Sequence, residues 1–320
     1  MAVNANRPHQ WKADITQSVD FYNNWFMRFA PKAYRDTRME TTGQVQTALH
    51  QTHHLTRIEP EVLKANPAIL PILRMATAPP IARDRLIGLA DVSPNLVRSM
   101  ETKARVPPRM PPKHLERELD KIGHVIEKLV DTDLFPWVET GHDPTEEEVT
   151  RAATVVADRL CGALADPIIR NAQEKRQLET LQTWLKSRGY KLIESSAGLT
   201  ADSMERGTFA FRMNVPITQG DKARAVNLPI DVVIMPKQAE YGEFPLLLEA
   251  KSAGDFTNTN KRRKEEATKM AQLRTTYGEQ IRLVLFLCGY FDSGYLGYEA
   301  AEGIDWVWEH RVDDLAEFGL

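Results

Sequence analysis

Apolar and polar positions along this chain follow two different periods, and the change falls near residue 190. Up to about residue 188 apolar residues recur at helical spacing with few β-branched runs, which predicts helices broken by proline clusters at 59–80 and 106–112. From Tyr190 onward short runs of Val, Ile, Leu and Phe alternate with turns: YKLIES, GTFAFRMNV, LPIDVVIMP, FPLLLEAKS, IRLVLFLCGY and IDWVWEH. A charged helix from about 260 to 277 separates the fourth run from the fifth. The order predicted is therefore β-β-β-β-α-β-β, preceded by a long helix. That helix is expected from about Pro167 to Arg188, with Asp166 capping it, Pro167 in its first turn and Gly189 just past its end. Leu178, Leu181 and Leu185 form its apolar stripe, and Glu174 falls on the same stripe. A carboxylate there either pairs with a basic residue at the end of the stripe or points into an active site. Trp306 and Trp308 alternate with Val307 and are expected to pack against one face of the sheet.

A chain of 320 residues is long for one core, so two domains are expected: a helical region at 1–165 and an α/β region at 166–320. With 42% hydrophobic and 27% charged residues, and no apolar run long enough to span a bilayer, no membrane association is expected. The opening MAVNANRPHQW carries no apolar export segment, so a cytoplasmic location is expected. Cys161 and Cys288 lie far apart without zinc-ligand spacing and read as buried thiols. His50, His53 and His54 in HQTHH lack a nearby acid and read as a polar helix surface. The net charge of -3 argues against a nonspecific nucleic-acid coat but leaves room for local basic patches, of which 103–113 and 260–269 are the strongest.

The chemistry concentrates at LPIDVVIMPKQAEYGEFPLLLEAKS. Pro236 and Pro245 bracket a loop that returns the second strand beside the first. Glu249 and Lys251, two apart, share one face of their strand, and Asp231 can lie next to them on its neighbour. Unpaired charge is costly within hydrophobic strands, so the alternatives are mutual salt bridges or a site. Two converging carboxylates raise each other's pKa unless a cation lies between them, and a hard divalent ion, Mg²⁺, answers that need. Lys251 beside it could orient or deprotonate a water and stabilise charge on a phosphate, so phosphodiester hydrolysis is the chemistry these groups suit.

PID followed after seventeen residues by EAK resembles the PD-(D/E)xK nuclease core, although Pro229 and Asp231 stand one position further apart than in an ideal PD. Together with DPIIRNAQEKRQLETLQTWLKSRGY and SAGDFTNTNKRRKEEATK, the chain resembles the XamI family of type II restriction endonucleases over nearly its full length. The resemblance implies an α/β mixed sheet flanked by helices behind a mostly helical N-terminal region. It also implies Mg²⁺ held by Asp231 and Glu249, Lys251 as the catalytic lysine, and Glu174 as the helix glutamate that some members of the superfamily add. It further implies a prokaryotic enzyme with a cognate DNA methyltransferase and the palindrome GTCGAC, the site attached to the XamI name. Cutting both strands of a palindrome calls for a homodimer. The rivals are a nuclease for modified or branched DNA and a regulator that binds DNA without cutting it.

Two segments are candidates for holding double-stranded DNA. In the charged helix Asn258, Thr259 and Asn260 can cap the first turn, which carries Lys261, Arg262, Arg263 and Lys264. Cations there oppose the helix dipole, a cost that a bound phosphate would offset, while Glu265 and Glu266 could instead balance a solvated face. In residues 81–103 the apolar spacing of Ile87, Val92, Val97 and Met100 predicts two short helices across a tight turn with Ser93 as N-cap of the second, either a helix-turn-helix or two ordinary core helices; Asp91 stands where helix-turn-helix turns usually have Gly. In a helix-turn-helix Asn95, Arg98 and Ser99 would face bases, and the segment carrying Arg105 and Arg109 would be a basic arm along the backbone or minor groove.

Overall fold

The computed structural model describes residues 3–194, 200–218, 225–257 and 259–320, without the side chains of 202, 225 and 259–262. In chain order its elements are α1 (Pro8–Gln51), α2 (Pro60–Ala65), α3 (Leu70–Met75), α4 (Arg83–Ala90), α5 (Pro94–Lys103), α6 (Pro112–Leu129), α7 (Pro136–Thr140) and α8 (Glu146–Ser187). The sheet strands follow as β1 (Lys191–Leu192), β2 (Thr208–Thr218), β3 (Ala225–Met235) and β4 (Leu246–Ala253). Then come α9 (Thr259–Tyr277), β5 (Leu283–Gly289), α10 (Ser293–Ala301) and β6 (Asp305–Trp308). The chain divides into two compact units, Ala30–Ile169, and Met1–Phe29 together with Arg170–Leu320.

The six strands form one mixed sheet in sequence order, β1-β2-β3-β4-β5-β6. β2, β3 and β4 are antiparallel neighbours, whereas β1 runs parallel to β2, and β4, β5 and β6 run parallel to one another. Every residue of β5 and the first half of β4 is buried, as expected of strands covered on both faces, whose sequences read as continuous apolar runs. Alternate residues feed two cores. Val233, Trp306 and Trp308 pack with Met270 and Leu273 of α9 and Leu296 of α10, while Val232, Ile234 and Val307 pack with Leu181, Trp184 and Leu185 of α8. This is the α/β architecture with flanking helices that the resemblance implied. The predicted strand order holds, and α10 is an additional helix between the last two strands.

The helix before the sheet does not begin at Pro167. It is the end of α8, which starts at Glu146 and runs through Pro167, so Asp166 is not a cap. An interior proline removes one backbone hydrogen bond and costs about 3 kcal/mol. Here its ring lies on the exposed side, while Leu160, Cys161 and Ala165 just before it are buried and keep their turns helical. Gly189 does close the helix, at φ +76°. Residues 3–29 belong with the sheet: the Asp305 carboxylate accepts the backbone N–H groups of Val3, Asn4 and Ala5, Trp11 meets Trp306 edge-on at 5.4 Å, and Ser18 Oγ accepts from Gly289 N at 2.8 Å.

In the helical unit α4 and α5 form the expected pair of short helices. Asp91 takes the left-handed conformation (φ 47°, ψ 59°) in place of the glycine usual in such turns. Ser93 precedes α5 but its side chain makes no capping bond; its backbone N–H donates instead to Glu118 Oε2 of α6 at 3.0 Å. The segment 104–111 is packed rather than a free arm, because Pro107 is buried and Val106 and Met110 rest on the unit's core. His53 and His54 lie just past α1 with positive φ, in a turn rather than on a helix surface. Among the described residues no helix is long and apolar enough to cross a membrane.

Candidate active site

Asp231 is placed in the middle of β3 and Glu249 and Lys251 in β4, and the hairpin of residues 236–245 brings them together. The antiparallel ladder between these strands runs from Ile234↔Leu246 to Val232↔Leu248. One residue further on Asp231 replaces it with a side chain: its Oδ2 accepts from Ala250 N at 2.9 Å. The carboxylate thus fixes the strand that carries the other two groups. Glu249 is only 3% exposed, and its Oε2 lies 3.3 Å from Lys251 Nζ, as expected of side chains two apart on one face.

Helix α9 adds two groups that the strand motif does not contain. Lys269 Nζ donates to Glu249 Oε1 at 2.6 Å and lies 3.4 Å from the Pro229 carbonyl oxygen. One turn earlier Glu266, 2% exposed, places Oε1 3.8 Å from Lys251 Nζ, and its Oε2 accepts the hydroxyl of Tyr295 from α10. The alternative that Glu266 balances a solvated face does not hold, because its side chain is buried in the site's wall. A sequence signal for both existed. Glu266, Lys269, Met270 and Leu273 follow helical spacing, and the two apolar members mark the buried face.

The electrostatics follow from this crowding. Burial, and after it the charge of Glu249, pushes the Asp231 carboxyl above its ordinary value, against the Ala250 N–H and the charges of Lys251 and Lys269. Burial works against the Lys251 ammonium, but Glu249, Glu266 and Asp231 together outweigh it and hold the lysine above its ordinary value. Lys251 is therefore a cation here. Among the described residues no group of three or more His, Cys, Asp or Glu is arranged to hold a metal ion. Two carboxylates without thiol or imidazole suit a hard cation that completes its shell with water, which is how Mg²⁺ is usually held.

Glu174 is not brought into this cluster. Its Oε1 pairs with Arg212 Nη2 of β2 at 2.7 Å, because the buried side of α8 is set by Gln173, Gln177 and Leu181 rather than by the Glu174 row. Gln177 of α8 does reach the ExK strand: its Nε2 donates to the carbonyls of Lys251 (3.3 Å) and Phe286 (3.0 Å). Of the residues expected at DNA, Asn95, Arg98, Arg105 and Arg109 are exposed, whereas Ser99 is buried and faces the core of its unit rather than solvent. Lys264 is exposed, and the Arg263 guanidinium lies over the Tyr298 ring at 5.0 Å. Asn258 and the side chains of Asn260, Lys261 and Arg262 lie outside the described residues.

A hairpin sets Asp231 beside an ExK strand within a mixed sheet flanked by helices, the arrangement expected of a nuclease of the PD-(D/E)xK type. The model of the family described as XamI restriction endonuclease matches residues 53–308, and the chain belongs to that family of type II restriction endonucleases. It is 55% identical over 317 residues to the type II restriction enzyme SalI of Streptomyces albus G, covering 99% of each chain. It is 26% identical over 201 residues to the type II restriction enzyme XamI of Xanthomonas campestris pv. amaranthicola, covering 62% of this chain and 64% of that one.

Proposed function

We propose that this protein is a type II restriction endonuclease that hydrolyses both strands of double-stranded DNA at a short palindrome, GTCGAC, with Mg²⁺. The observation that carries the reading is the convergence of Asp231, Glu249 and Lys251 at the end of the β3–β4 ladder, in a chain 55% identical to a type II restriction enzyme. Asp231 and Glu249 are the residues that would hold the cation. Bound there, it would supply Lewis-acid polarisation of the scissile phosphate and a more acidic water. Lys251, as an ammonium, orients the attacking water and offsets the charge that grows on the phosphate during attack. The surrounding strands exclude bulk water from Glu249, which strengthens each of these charge interactions.

Recognition is assigned to the exposed groups Asn95 and Arg98 of α5, with Arg105 and Arg109 on phosphates. Asn258, Asn260 and the basic run Lys261, Arg262, Arg263 and Lys264 are assigned to the DNA backbone near the cut. Two cuts related by a two-fold axis call for a homodimer, and protection of the host's own sites calls for a cognate methyltransferase. A prokaryotic cytoplasm is the compartment where both would act. The test is digestion of unmodified phage DNA with Mg²⁺, followed by mapping of the fragment ends. Discrete fragments ending at GTCGAC are expected. Cutting only of methylated or branched DNA, or retardation on a gel without cutting, would replace this reading with one of its rivals.

A further inference from the structure

We propose that Glu266 of α9 is a positioning residue of the cleavage reaction, holding the Lys251 ammonium against the reacting phosphate with Tyr295 as its anchor. The inference rests on the reading of Lys251 as the catalytic lysine and adds to the motif a carboxylate from a different element.

A lysine side chain carries about 2 kcal/mol of rotamer entropy, and a reacting group must be placed closely for its charge to count in the transition state. Glu249 cannot do this alone. Its Oε1 is already taken by Lys269 at 2.6 Å, and Lys251 meets only the other oxygen, at 3.3 Å. Glu249 is also the residue assigned to the cation, an assignment that competes with its pull on Lys251. Glu266 has no such second duty. It approaches Lys251 from α9 at 3.8 Å, so two carboxylates on separate elements fix the ammonium. Its own position is set by burial at 2% exposure and by the hydroxyl of Tyr295, a residue 1% exposed on α10.

The proton inventory next to Glu266 agrees with this geometry. Glu299 of α10 is fully buried, and burial followed by the charge of Glu266 pushes its pKa up to about 9. Glu299 therefore keeps its proton at neutral pH, which leaves the negative charge of the pair on Glu266, beside Lys251. The two helices that follow the ExK strand thus supply the counter-charge, its hydrogen-bonded anchor and a neutral neighbour.

The experiment compares Glu266→Gln, Glu266→Asp, Tyr295→Phe and Lys251→Ala in the full chain. It follows single-turnover cleavage of a saturating duplex with Mg²⁺, and gel-shift affinity for the same duplex without Mg²⁺. It also measures, without metal or DNA, the acetylation rate of Lys251 relative to the exposed Lys175 by mass spectrometry. Glu266→Gln is expected to slow cleavage about 100-fold while affinity changes less than about threefold, with Glu266→Asp regaining about tenfold. Acetylation of Lys251 should rise several-fold in Glu266→Gln, and Tyr295→Phe should shift both readouts in the same direction but less. Wild-type cleavage by Glu266→Gln, or unchanged Lys251 reactivity, would overturn the inference while leaving the reading of the site intact if Lys251→Ala is inactive. If Glu266→Gln does not fold, Glu266→Asp and Tyr295→Phe decide on the same two readouts. Full cleavage by Lys251→Ala would overturn both.

Discussion

Lys269 Nζ lies 2.6 Å from Glu249 Oε1, so the glutamate of the ExK strand is paired with a cation from α9. Both side chains are largely buried, at 18% and 5% exposure, and removing one member of such a pair costs about 3 kcal/mol because the other charge is left behind. Lys269→Met should therefore lower the unfolding temperature in the absence of metal. A divalent cation should then restore more stability to this variant than to wild type, because it meets a less compensated carboxylate. Thermal unfolding with and without Ca²⁺ or Mg²⁺ checks this, and equal metal-induced shifts in the two proteins would contradict it.

Glu299 makes stability depend on pH. Its pKa is about 9 in the folded chain, pushed up from 4.5 by burial and then by Glu266, so in that window the folded state binds a proton that the unfolded chain has released. Its contribution is complete below about 4.5 and is lost as pH rises toward about 9. Glu299→Gln, which cannot ionise, should gain stability relative to wild type as pH rises, by on the order of 1 kcal/mol per pH unit. Urea unfolding of both proteins on the acid and alkaline sides of neutrality measures the difference. Parallel pH curves would show that Glu299 does not hold its proton.

The two faces of α5 should separate binding from packing. Arg98 is exposed and Ser99 is buried on the adjoining side. Arg98→Ala should weaken binding of the target duplex by about 1–3 kcal/mol if it meets a base, or reduce the salt dependence by about one charge if it meets a phosphate. Ser99→Ala should leave both unchanged. Gel-shift titrations at several salt concentrations distinguish these outcomes, and an unaltered Arg98→Ala would return α5 to a purely structural role.

The strand half of this molecule was readable because period-two apolar runs fix which side chains share a face. Glu249 and Lys251 needed nothing more than that rule to be placed together. Asp231 was readable because the proline-bounded loop permits only a return beside its own strand. The parts that could not be read depend on contacts between distant segments. Nothing local shows that Val3, Asn4 and Ala5 will bond to Asp305, or that buried neighbours will carry α8 through Pro167. α10 escaped notice because the three glycines of SGYLGYEAAEG interrupt its helical period. Glu266 and Lys269 were present in a charged run that resembles a solvated face until Met270 and Leu273 are used to orient it.

The central claim is that Asp231, Glu249 and Lys251 form the centre that cuts DNA. The most direct test is Asp231→Asn, because an asparagine oxygen can still accept from Ala250 N and hold β4 in place, while the charge available to a divalent cation is lost. The measurement is single-turnover cleavage of a duplex carrying one GTCGAC site with Mg²⁺, set beside gel-shift affinity for the same duplex. A loss of cleavage of more than about 1,000-fold with affinity within about threefold of wild type is the result expected. Cleavage by Asp231→Asn at the wild-type rate would contradict the assignment and place the chemistry elsewhere in the chain.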